Sequence, residues 1–146
     1  MTSSAYLALG VTALAINLLA GAIGGAAYRR NRISIPFWYL LRFAQFATLL
    51  FVVAEAWLYF AGNRAENDLH YLYATLPVVA SLLAEAMRGA SASQELGETD
   101  FATLGEDRQQ AVAMAIVQRE TGVMTVACLV VAFLIWRAVD TTAGMF

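Results

Sequence analysis

Residues 35–61 read IPFWYLLRFAQFATLLFVVAEAWLYFA, an apolar run with aromatic residues at both ends. About 20 apolar residues in a helix suffice to cross the hydrocarbon core of a bilayer. The run nevertheless contains Arg42, Gln45 and Glu55, and ionisable side chains are costly in hydrocarbon. This stretch therefore predicts a transmembrane helix that carries an internal polar site.

Three further apolar runs cover residues 5–28, 69–87 and 110–138. Short polar stretches separate the runs, except for residues 88–109, which we expect to form a longer cytoplasmic loop. Short connections make consecutive helices antiparallel neighbours. The sequence therefore predicts a single integral membrane domain over residues 1–146, an all-α, up-down-up-down bundle of four transmembrane helices.

The composition excludes several classes of function. Hydrophobic residues make up 60% of the chain and charged residues 14%, far from the values of an ordinary soluble domain. Every basic residue is an arginine, so chemistry that needs a lysine Schiff base, such as covalent retinal binding, is excluded. The sole histidine, His70, cannot supply both ligands of a bis-histidine haem within one chain. No clustered basic surface exists for nucleic acid, which we exclude as a partner.

The distribution of arginines predicts the orientation of the chain. Cytoplasmic loops of membrane proteins carry an excess of basic residues. Six arginines fall on one side of the predicted bundle and two on the other. The six are Arg29, Arg30, Arg32, Arg88, Arg108 and Arg119, and the two are Arg64 and Arg137. We therefore expect a multi-pass protein of the plasma (inner) membrane with both termini outside.

Helical spacing predicts a polar stripe along the third run. Six of its residues fall on one side when each residue is advanced by about 100°. These residues are His70, Tyr73, Pro77, Ser81, Glu85 and Arg88. Because the second and third runs are antiparallel, Arg42 and Glu85 come to similar depth, whereas Glu55 lies in the opposite half. Two separate polar layers follow.

In the layer around Arg42 we expect an ion pair with Glu85 that faces the interior of the bundle. An unpaired charge at the centre of a membrane helix costs about 2.5–3.5 kcal/mol on insertion scales. Gln45, with Gln118 or Glu120, is expected to complete the hydrogen bonds. Such a pair either fixes the register of the helices or forms a proton, ion or ligand site.

In the other layer Glu55 is expected near Tyr73 and Thr75, at a depth that no arginine of a neighbouring run reaches. Desolvation then favours a protonated carboxyl, which either carries a proton, binds a cation or forms a structural hydrogen bond. His70 is expected at the solvated outer interface. It is a weak metal candidate, because only Glu66 and Asp68 lie near it in the sequence. We therefore predict no metal site.

Small residues form a seam along the first run. Gly10, Asn17, Gly21 and Gly25 recur at helical spacing, and small residues allow two membrane helices to approach closely. The seam predicts helix packing, either against a neighbouring span or against a second copy of the chain.

No catalytic or cofactor motif accompanies these features. We therefore interpret the chain first as a non-catalytic subunit or scaffold of a larger membrane complex, embedded in the lipid bilayer and associated with other subunits or with its own copies. The alternative is a proton, ion or small-molecule transporter or channel-like oligomer that uses Glu55 and the Arg42/Glu85 pair. The third is a redox protein that binds quinone or haem, since the aromatic groups at residues 37–39 and 57–60 suit a quinone or a lipid tail. We predict no required cofactor.

Overall fold

The computed structural model describes residues 3–97 and 100–142. Its helices are α1 (Ser3–Arg29), α2 (Ile35–Phe60), α3 (Leu69–Gly89), α4 (Ser91–Leu96) and α5 (Glu106–Asp140), with a short 3-10 turn at Phe101–Thr103. The described residues contain no strand. Four helical segments, which begin with α1, α2, α3 and α5, are long and apolar enough to cross a membrane. The all-α class and the four predicted spans are thus confirmed at that level.

Local chemistry explains where the second helix begins and ends. The hydroxyl of Ser34 accepts a hydrogen bond from the backbone N–H of Phe37 at 3.3 Å, and Pro36 lies in the first turn, where its missing N–H costs nothing. Beyond the last turn Gly62 adopts a positive φ of 90°, which glycine tolerates best. Both ends therefore follow from residues that stop or start a helix.

The last helix is longer than its apolar run. α5 begins at Glu106 instead of residue 110 and continues to Asp140. Glu106 and Asp107 occupy its first turn, where acidic side chains interact favourably with the helix dipole. The predicted loop at residues 88–109 accordingly contains α4, the 3-10 turn and the first turn of α5.

The long helices pack unevenly. α5 has extensive contacts with α1 and α3, and α1 also packs on α2, whereas α2 and α3 touch each other much less. α2 and α5 lie diagonally across the bundle and share little surface. The side of the bundle between α2 and α3 is therefore its most open side.

The glycine seam of α1 packs against another helix of the same chain. A Cβ atom added to Gly10 would come within 2.6 Å of Val139 Cγ2, and one added to Gly21 within 2.7 Å of Leu129 Cδ2. Both neighbours belong to α5, so the seam lets α1 and α5 approach closely. Gly25 is less crowded, with Thr125 Cγ2 at 3.6 Å. The sequence allowed the seam to pack against a neighbouring span or against a second copy of the chain, and in the structure it packs against a neighbouring span.

Asn17 of the same seam is a buried polar link between α1 and α2. Its Nδ2 donates to the carbonyl of Ala13 at 2.9 Å and to Thr48 Oγ1 at 3.0 Å. The Thr48 hydroxyl donates in turn to the carbonyl of Ala44 at 2.8 Å. The amide hydrogens of Asn17 are thus satisfied inside the bundle, as a buried polar group requires.

Candidate functional site

The first polar group of the bundle, here called the arginine cluster, consists of Arg42, Gln45, Glu85, Arg88 and Glu120. Glu85 is its centre. Oε1 of Glu85 accepts from Arg42 Nη1 at 2.8 Å and from Gln45 Nε2 at 2.7 Å, and Oε2 accepts from Arg88 Nε at 2.7 Å. The expected Arg42 to Glu85 contact is therefore present, and Gln45 completes it.

The arginine cluster extends to a third helix. Arg88 Nη1 lies 3.8 Å from Glu120 Oε2 on α5, and Arg42 Nη1 also donates to Gln45 Oε1 at 2.7 Å. Two arginines and two carboxylates balance, so the cluster is neutral while all four are ionised. The cluster links α2 to α3 on the open side of the bundle through charge-assisted hydrogen bonds, which are stronger than hydrogen bonds between neutral groups.

The arginine cluster does not face the interior as expected. The Arg42 side chain is 56% exposed and that of Glu85 is 27% exposed. The reason is the thin contact between α2 and α3, which leaves a lateral groove of about 240 Å³ at this level. Its lining residues are Arg42, Gln45, Thr48, Leu49, Val78, Ser81, Leu82 and Glu85. The Arg42 to Glu85 ion pair therefore lines an open groove.

Two residues assigned to this network by sequence do not take part in it. The Ser81 hydroxyl lines the groove but donates to the carbonyl of Pro77 in its own helix at 2.8 Å. Gln118 has both side-chain polar atoms buried without a hydrogen-bond partner among the described residues. Gln118 therefore does not complete the Arg42 to Glu85 pair, and Glu120, two residues further along α5, reaches the cluster only through Arg88.

The second polar group, here called the terminal cluster, lies where α1 begins and α5 ends. Its centre is a 2.7 Å contact between Glu55 Oε1 and His70 Nε2. His70 Nδ1 lies 3.1 Å from Thr141 Oγ1, just beyond α5. The fully buried Tyr6 of α1 interacts electrostatically with the Glu55 carboxylate. Residues from all four long helices or their caps thus converge here.

The placement of His70 corrects the sequence analysis. His70 was expected in the solvated interface, but its side chain is 0% exposed. His70, in the first turn of α3, contacts Glu55 near the end of α2. Thr141, just beyond α5, contacts the other nitrogen of the His70 ring. Both ring nitrogens are occupied by Glu55 and Thr141, so neither is free to ligate a metal or haem. Within the described ranges no three acidic, histidine or cysteine residues form a potential metal site.

Tyr73 was expected near Glu55, and the contact that its ring makes is with an arginine of α5. Its ring lies under the guanidinium of Arg137, with 5.4 Å from Cζ to the ring centroid. Its role as a partner of Glu55 is taken by His70, which occupies the preceding turn of the same polar stripe. The stripe was predicted correctly as a face, but the residue that reaches Glu55 was not.

An apolar layer separates the two clusters. Glu55 and Thr48 are seven residues apart on α2, which is about 10 Å along a helix. Phe51 lies between them, fully buried, and packs on Tyr6 with 5.4 Å between ring centroids. Ala13 and Val131 join the same apolar group. The described side chains therefore form two separate sites instead of one polar path.

The terminal cluster also borders a groove of its own. This groove holds about 400 Å³ between α2 and α3, and Glu55 is one of its lining residues. The others are Val52, Ala56, Tyr59, Phe60, Tyr71 and Thr75. Tyr59 and Tyr71 meet edge to face, with centroids 5.2 Å apart. Both polar clusters therefore border grooves on the same, open side of the bundle.

Comparison with known proteins gives no assignment for this geometry. No protein family model, no curated protein and no solved structure matches the chain significantly.

Proposed function

We propose that this chain is a non-catalytic subunit of a larger membrane complex and that it contacts its partner through the open side between α2 and α3. The observation that carries the proposal is the exposure of Arg42, whose side chain is 56% exposed on a helix that crosses the membrane. The surrounding surface of α2 is strongly apolar.

The surroundings of Arg42 explain why a partner is needed. Phe43 and Phe46 next to it are 65% and 60% exposed, which is the surface expected against lipid tails or another helix. Arg42 lies seven residues inside α2, or about 10 Å from its first residue. At that depth hydrogen-bond donors without acceptors cost several kcal/mol each. A helix that supplies a carboxylate, a hydroxyl or a carbonyl would satisfy them.

The hydrogen bonds of Arg42 hold it at this depth. Nη1 is engaged by Glu85 and Gln45 at 2.8 and 2.7 Å, so the guanidinium cannot move freely to the lipid headgroups without losing them. More than half of the Arg42 side chain nevertheless remains exposed. The cluster is therefore suited to receive further acceptors from a neighbouring transmembrane helix.

The proposal includes the membrane arrangement. The four spans cross the plasma (inner) membrane in alternating directions, with the arginine cluster in the cytoplasmic half and the terminal cluster in the outer half, so that both termini lie outside. The excess of arginines at one end of the bundle supports this orientation. No cofactor is needed, and lipid or quinone would only fill the lateral grooves.

Site-specific photocrosslinking in the native membrane tests the proposal. A photoreactive residue replaces Phe46, which lies one turn from Arg42 on the open side, and in a separate variant Phe133, which is 53% exposed on α5 across the bundle. We expect a protein adduct of defined mass from position 46 and lipid adducts alone from position 133. Lipid adducts alone from both positions, or the same protein adduct from both, would contradict the proposal.

A further inference from the structure

The hydrogen bonds of the terminal cluster fix where its protons lie. The hydroxyl of Thr141 has a single hydrogen, and Oγ1 lies 2.8 Å from the carbonyl of Arg137. Two oxygens approach this closely when a proton lies between them, so Thr141 donates to the backbone. The contact of 3.1 Å between Thr141 Oγ1 and His70 Nδ1 then requires that Nδ1 carries the hydrogen. His70 is therefore the donor to Thr141.

The proton at the other ring nitrogen, Nε2, can be located in the same way. A neutral imidazole with hydrogen on Nδ1 has only a lone pair on Nε2. Nε2 lies 2.7 Å from Glu55 Oε1, and this contact needs one proton. The proton belongs either to a neutral carboxyl of Glu55 or to an imidazolium of His70. In both forms the pair has no net charge, and without that proton it becomes a buried anion.

We infer that Glu55 and His70 together form a binding site for one exchangeable proton. The site is independent of lateral docking through Arg42, because the Phe51 layer separates the two clusters. Burial strongly favours the neutral, proton-bound pair. Glu55 lines the groove between α2 and α3, which makes the carboxyl the side from which the proton leaves and returns.

Groups from each neighbouring helix face the pair. Tyr6 of α1 interacts with the carboxylate, and the Tyr71 ring of α3 meets the His70 ring at 5.5 Å. On α5 the nearest formal charges, Arg137 and Asp140, neutralise each other at 2.7 Å. Among the described residues, the ion pairs of Glu55 and His70 are limited to the one they share. The proton is therefore the only counter-charge within the pair.

Proton binding links three helices. The proton joins α2 to α3 through Glu55 and His70, and Nδ1 joins α3 to the end of α5 through Thr141. When the proton leaves, the carboxylate faces the lone pair of Nε2 and this link becomes repulsive. The site thus couples proton exchange to the packing of this end of the bundle.

Nitrogen NMR of the chain in lipid bilayers, labelled with ¹⁵N-histidine, tests the inference. His70 is the sole histidine, so every signal reports on this site. We expect Nδ1 to carry hydrogen in every form in which the pair is proton-bound. We also expect the ¹⁵N chemical shift of Nε2 to change in a single step as pH rises. A wild-type ring with hydrogen on Nε2 and none on Nδ1 would overturn the inference, without any need for a variant.

Two variants separate the pair from a merely buried histidine. Glu55→Gln removes the carboxyl that shares the proton, so we expect the Nε2 signal of His70 to lack the step that is expected in wild type. The control Glu66→Gln removes an exposed acid near the same end and should leave the step in place. The same titration step in wild type and in Glu55→Gln would show that Glu55 does not share the proton.

Discussion

The two polar clusters use similar side chains in opposite ways. The arginine cluster gathers four formal charges, with Glu85 at the centre, and leaves the Arg42 side chain 56% exposed. The terminal cluster contains one acid and one histidine, with exposures of 5% and 0%. The difference teaches that packing decides the role of an intramembrane charge. Where α2 and α3 separate, charge is exposed to a neighbour, and where all four long helices converge, the pair is buried and shares a proton.

The largest effect is expected from His70→Leu in the terminal cluster. The substitution leaves Glu55 buried without its partner, and removing one partner of a buried pair costs about 3–5 kcal/mol. We expect a loss of this size in the free energy of unfolding, measured by steric trapping in bilayer discs. The double variant Glu55→Met, His70→Leu should recover most of it, since apolar replacement of a whole pair is often neutral. A double variant as unstable as the single one would show that the pair is not the cause.

An intermediate effect is expected from Gly24→Ala, which overpacks the contacts of α1 with α2 and α5. The added Cβ would lie 2.4 Å from Thr125 Oγ1 and 2.5 Å from Phe37 Cε2, and both residues are buried. Overpacking of this kind costs about 1–3 kcal/mol. The matched control is Gly25→Ala, where the nearest atom is 3.6 Å away. It should be neutral or stabilising by up to about 1 kcal/mol in unfolding experiments, because alanine favours a helix.

The smallest effect on folding is expected from Arg42→Leu. Without Arg42, Glu85 keeps Gln45 and Arg88 as hydrogen-bond donors, and leucine suits a surface in contact with lipid. We therefore expect the unfolding free energy of the isolated chain to change by about 1 kcal/mol or less, in contrast to His70→Leu. A loss as large as that of the terminal cluster would mean that both clusters are structural, and the contrast between them would fail.

Much of the fold could be predicted because it follows from local sequence. The apolar runs give the four long helices, and Ser34, Pro36 and Gly62 mark ends of α2. The Arg42 to Glu85 contact could be predicted from depth alone, since both residues lie inside antiparallel spans. Its exposure could not, because periodicity does not report how far two helices separate.

The terminal cluster was missed for a physical reason. His70 is the second residue of α3, and a position so near a helix end predicts solvent. Its burial depends on Thr141 and on the length of α5, which runs to Asp140 beyond the predicted limit of 138. The signal available in the sequence was the polar stripe of α3, which places His70 and Tyr73 on one face. The stripe gave the correct face of α3 but could not show whether His70 or Tyr73 contacts Glu55.

Native mass spectrometry of the chain extracted from its own membrane tests directly whether a partner binds at Arg42. We predict that the wild-type chain carries a second polypeptide in fixed stoichiometry and that Arg42→Leu loses this polypeptide while remaining folded. A wild-type chain that carries only lipid, or an Arg42→Leu variant that keeps the same partner, would contradict it.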